Sequence, residues 1–117
     1  MTGVVDALVE EALRELSDEQ VQATLWASSG KPEVSSLAEA KSRLWDDSGL
    51  AEAMSRGVVY SDQADTLLRQ LRATLHRVDD RAPVEVVLAS ADLAEARSIA
   101  HEVLCAMREW GYDSVDP

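Results

Sequence analysis

Ala64, Leu67, Leu68, Leu71, Leu75 and Val78 recur at three- and four-residue steps, the spacing that lines one face of an amphipathic helix. Between them lie Asp65, Arg69, Gln70, Arg72, His76 and Arg77, which the same period turns to water. Ser61 or Asp62 opens this helix, expected over roughly 62–79. Its acids (Asp62, Asp65) sit in the first turn and its bases (Arg72, His76, Arg77) in the last, as the helix dipole favours.

The same grammar extends along the chain. A first helix is expected over about 3–16, with Val5, Leu8, Val9, Ala12, Leu13 and Leu16 inward and Glu10, Glu11, Arg14 and Glu15 outward. Ser17-Asp18-Glu19-Gln20 reads as a capping box, and a change of apolar phase at Val21, Leu25 and Trp26 predicts a corner there. Gly30-Lys31-Pro32 ends the second helix. Ser35 or Ser36 caps a third, carrying Leu37, Ala40, Leu44 and Trp45. A short fourth, with Leu50, Ala53 and Met54, stops at Gly57.

The segment Pro83–Ala89 is ambiguous. Its Val-rich composition allows a short strand at 84–89. Val86, Ala89, Leu93, Ala96, Ala100, Val103 and Met107 nevertheless keep one helical phase, and the only strand partner is Val58-Val59-Tyr60. A long last helix from about 84 to 110, irregular near Ser90 and stopped at Gly111, is the better reading. The expected fold is all-α: a single-domain compact bundle of five or six helices over 1–111, with helices 62–79 and 84–110 as an antiparallel spine and a frayed tail at 112–117. The alternative is α+β with the strand at 84–89.

Composition narrows the function. The chain has 117 residues, a single domain's length, and 46% hydrophobic content, which argues against disorder. Its net charge is −11, with acids spread evenly along the chain. That field disfavours direct contact with nucleic acid or anionic membrane and favours a basic protein partner. No apolar run is long enough to span a bilayer, the N-terminus carries no secretory pattern, and the lone Cys105 suits a reducing compartment, so the expected location is cytoplasmic.

Candidate chemistry is sparse. His101 and Cys105 are four apart and share a helix face, but two ligands do not make a metal site, and Cys105 borders an apolar stripe. The acid pairs Glu10/Glu11, Asp46/Asp47 and Asp79/Asp80 are neighbours on a helix or caps at its end, and do not converge on a reacting atom. Asp47-Ser48-Gly49-Leu50 resembles the Asp-Ser-Leu phosphopantetheine site of acyl carrier proteins over four residues only. The inserted Gly49 breaks that motif, and Ser48 is read as the cap of the fourth helix.

With Phe absent, Trp must supply core bulk, so burial is expected for each Trp and interface use is the alternative. Arg69, Arg72 and Arg77 with His76 form the one basic patch, expected to pair with neighbouring acids such as Asp65 or with an acidic partner. The candidate interaction surface comprises Trp45, Asp46, Asp47, Arg69, Arg72, His76, Trp110 and Tyr112. No cofactor, metal or catalytic residue is expected. The leading reading is a non-catalytic protein-interaction module: an adaptor, a regulator, or an antitoxin- or immunity-like partner of a basic protein. A homodimer joined through the last two helices is the second, motivated by a wide stripe that adds Ile99, Ala106 and Trp110. A small enzyme using His101 and Cys105 is the third.

Overall fold

In a computed structural model, residues 4–27, 37–79 and 81–110 are described. They form helices α1 (Asp6–Ser17), α2 (Glu19–Ala27), α3 (Leu37–Ser42), α4 (Leu50–Arg56), α5 (Asp62–His76), α6 (Val84–Leu88) and α7 (Ala91–Trp110). A π-helical turn, Arg43–Asp47, continues α3. There is no strand among the described residues. The radius of gyration, 13.8 Å, is close to the ~13 Å expected of a compact chain of this length, so the helices close on one core.

The amphipathic pattern builds that core directly. Ala64, Leu68, Leu71 and Leu75 of α5 are fully buried, each buried leucine contributing about 1.5–3 kcal/mol. α7 is the central element and packs against both α5 and α1. Leu93, Ala96, Ala100, Val103 and Met107 are buried, and so are Ile99 and Ala106, the residues that widen its stripe. Arg77 just past the end of α5 bonds Asp92 at the start of α7, 3.1 Å away, as an antiparallel pair requires. The π-turn lies against α1, α3 and α4, while α2 carries α6.

Several local expectations are corrected. The capping box is displaced by one residue: the Ser17 hydroxyl donates back to the Arg14 carbonyl, and the Asp18 carboxylate accepts the N–H groups of Gln20 and Val21. The helix expected over 84–110 is two helices. Ser90 breaks it by accepting the Leu93 N–H on its hydroxyl, so the chain turns between α6 and α7. The apolar phase is lost at the break: Val86 is 55% exposed and Val87 is buried instead. The strand alternative at 84–89 is excluded, since 84–88 form α6 and Ala89 caps it.

Polar residues assigned to the outer faces prove buried. Glu10 is buried and pairs with Arg14 one turn on, while Glu15 and Asp65 are enclosed by partners from other parts of the chain. Val5, read as inward, is exposed. The Gly30-Lys31-Pro32 stop, the Ser35 and Ser36 caps, Asp80 and the tail from Gly111 lie outside the described residues.

Ser61 caps α5 as expected, its hydroxyl accepting the Ala64 N–H at 3.0 Å. α5 stops at His76, earlier than the pattern implied. Gly57 ends α4 with φ 155° and ψ −164°, a conformation restricted almost entirely to glycine. A Cβ there would meet nothing within 4 Å, so the cost of a side chain is backbone strain alone. Gly57→Ala is expected to lose about 1–3 kcal/mol in urea unfolding. A loss near zero would mean that the backbone relaxes to another turn.

Candidate functional site

α3 and its π-turn set Trp45 against one face of α5. The π-turn is recorded by the Ser48 N–H bonding five residues back to Arg43 O, at 3.2 Å. Ser48 locks the end of this turn. Its hydroxyl donates to Leu44 O and accepts the Leu50 N–H, and the residue is wholly buried. It is therefore an internal brace between the turn and α4, with no exposed hydroxyl to carry a group.

Leu44 and Trp45 project into the core from consecutive positions, Trp45 being only 5% exposed. Its indole N–H has no hydrogen-bond partner among the described residues. A buried donor left unpaired costs about 1–3 kcal/mol, which singles this residue out. Trp26 offers the contrast, since its indole N–H donates to the Glu15 carboxylate at 2.7 Å.

Arg69, Arg72 and His76 are three and four residues apart on α5 and share the face turned to Trp45. The Arg72 guanidinium lies over the indole, 5.3 Å from the ring centroid. Such a contact at an exposed site is worth about 0.5–1 kcal/mol, little enough to be exchanged for a better partner. Two clefts flank this contact. One, of about 230 Å³, is lined by Ala38, Lys41, Ser42, Trp45, Asp46, Arg72 and His76. The other, of about 220 Å³, is lined by Trp45, Ala51, Met54, Ser55, Leu68, Arg69 and Arg72. Both fall below the roughly 300–1,000 Å³ typical of small-molecule pockets and are sized for individual side chains.

The structure thus brings together five of the residues read from the sequence: Trp45, Asp46, Arg69, Arg72 and His76. Asp47 is exposed but lines neither cleft. Tyr112 and the side chain of Trp110 lie outside the described residues. Arg77 leaves the basic patch because it is held by Asp92 and Glu95 of α7 at 3.1 and 3.3 Å. Asp65, the neighbour expected to neutralise the patch, instead accepts the N–H groups of Val59 and Tyr60. Among the described residues Arg69 and Arg72 therefore have no carboxylate partner, and Arg69 reaches the Thr66 hydroxyl. Lys41 and Met54 were missed as site residues. The signal for Lys41 was present, since it stands one helical turn before Trp45.

Elsewhere, His101 and Cys105 do meet on α7, with Nε2 and Sγ 3.8 Å apart. Among the described residues no group of three or more His, Cys, Asp or Glu is placed to hold a metal ion, and no helix is long and apolar enough to cross a membrane. The chain matches no protein-family model, no curated protein and no solved structure.

Proposed function

We propose that this chain is a non-catalytic protein-interaction module, an adaptor or regulator of the antitoxin or immunity kind. It acts in the cytoplasm on a basic protein and docks through the Trp45–Arg72 clefts. The observation that carries this reading is the conjunction at one surface of a buried indole donor and two guanidinium groups which, among the described residues, have no acceptor and no carboxylate respectively. Aromatic and Arg side chains are those most enriched in the energetic centres of interfaces. The clefts flanking them suit protruding side chains better than a cofactor.

The −11 charge supplies the other half of the argument. Distributed over the surface, it raises the encounter rate with a basic protein and discourages nucleic acid. Its reach is about 8 Å at physiological salt, so it governs approach, whereas the clefts govern contact.

Affinity capture from the native cell lysate tests the proposal, with the wild-type chain and an Arg69→Glu/Arg72→Glu variant as parallel baits washed at low and high salt. A stoichiometric basic protein on the wild type, released by salt and reduced on the variant, is the expected result. A wild-type bait that retains no protein even at low salt overturns it.

A further inference from the structure

We propose that the two clefts beside Trp45 form one composite anchor site for an acidic–apolar segment of the protein partner, a carboxylate next to a large apolar side chain. This rests on the interaction-module reading and specifies the chemistry of its contact.

The local charge is the reverse of the global one. The cations Lys41, Arg69 and Arg72 line the clefts with His76, and among the described residues Asp46 is the one carboxylate-bearing residue lining either of them. Acids outnumber Lys and Arg by 22 to 11 over the chain. Arg14, Arg43, Arg56 and Arg77 pair with carboxylates, whereas Arg69 and Arg72, like Arg81, Arg97 and Arg108, have no carboxylate partner among the described residues. What sets Arg69 and Arg72 apart is that both line one cleft beside Trp45, which leaves a place there for a carboxylate from outside. Arg is the residue best shaped to hold it, through paired N–H donors.

The apolar half has an equally definite lining. Ala51, Met54 and Leu68 join the Trp45 ring in the second cleft, and Met accommodates side chains of varied shape. Arg72 borders both clefts and, among the described residues, is held there by the face of the indole alone. Drawing its guanidinium onto an incoming carboxylate uncovers the face of the ring for the apolar side chain, beside an indole N–H that has no hydrogen-bond partner among the described residues. One movement of one side chain thus joins the two clefts. The partner inferred is basic overall and presents an acidic–apolar anchor, a pairing that short electrostatic range permits.

The test uses a short fluorescent helical peptide of alternating Leu and Glu faces, its Glu→Gln counterpart and its Leu→Ser counterpart, with binding followed by anisotropy. The wild-type chain is expected to bind the Leu/Glu peptide about tenfold or more tightly than either counterpart. Arg69→Glu/Arg72→Glu should abolish the preference for Glu over Gln. Trp45→Phe keeps an aromatic ring and removes the N–H, so it identifies the Trp45 indole resonance, which should shift when the Leu/Glu peptide binds wild type. Equal affinity for the Glu and Gln peptides, a preference that survives the double substitution, an unshifted indole resonance, or no binding of any peptide would each overturn the inference. In those cases a salt-released partner in the lysate experiment still leaves the interaction module standing.

Discussion

Glu15→Ala is expected to destabilise the fold by about 3 kcal/mol, a large share of the roughly 5–15 kcal/mol that holds a domain of this kind together. Glu15 is 6% exposed on α1. One carboxylate oxygen receives Arg43 at 2.9 Å from the π-turn, and the other receives the Trp26 indole N–H at 2.7 Å from α2. Its own carbonyl, with that of Leu16, accepts the Gln22 side-chain amide at the α1–α2 corner. Truncation leaves the Trp26 donor buried without the Glu15 acceptor and Arg43 facing, among the described carboxylates, only Glu11, 3.7 Å away. Removing one partner of a buried pair costs about 3–5 kcal/mol. Arg43 keeps 23% of its side chain exposed and can rehydrate, which places the loss at the lower end. Glu15→Gln preserves an acceptor for Trp26 and should cost about half as much. Urea unfolding followed by circular dichroism reads both. A Glu15→Ala loss below about 1 kcal/mol would mean that water replaces the carboxylate.

This network also marks the limit of periodic reading. The faces of α1, α5 and α7 were legible because burial there follows a helical spacing that each segment contains within itself. The same rule assigned Glu15 and Asp65 to water, since a period cannot see partners supplied from outside the helix; Glu10, buried against Arg14 one turn on, was misassigned too. Arg43 comes to Glu15 from 28 residues away, and Arg97 reaches Gln22 across 75. An irregularity near Ser90 was expected, but not a full break. The apolar spacing of the sequence runs on past it although burial shifts from Val86 to Val87, and the α6–α7 junction carries a hydroxyl accepting the Leu93 N–H.

The candidate site was legible in pieces. The 69–72–76 face of α5 is written in its spacing, and Trp45 stood out as aromatic bulk near an element end. Their meeting depends on the π-turn, which adds a residue to the helical repeat and has no signature in the apolar pattern. The loss of Arg77 from the patch likewise depends on tertiary pairing with α7.

Asp65→Ala should be nearly as damaging as the change at Glu15, with an expected loss of about 2–4 kcal/mol. Asp65 is 2% exposed in the first turn of α5, where a carboxylate is favoured by the helix dipole. Its two oxygens accept the N–H groups of Val59 and Tyr60 at 2.7 and 3.1 Å, fixing the chain that enters α5. Tyr60 is buried, and its hydroxyl donates to Asp6 at 2.9 Å, so the same loop is tied to α1. Alanine leaves two backbone donors without acceptors, each worth about 1–3 kcal/mol when buried. Val59 is only half-buried and can recover part of its share from water. Asparagine retains one acceptor but turns an amide donor toward the other N–H, so it should rescue little. Hydrogen exchange separates a local from a global effect: the Val59 and Tyr60 amides should lose protection beyond the change seen in α7. If the α7 amides lose as much protection as these two, the carboxylate acts on the whole core and not on the loop it binds.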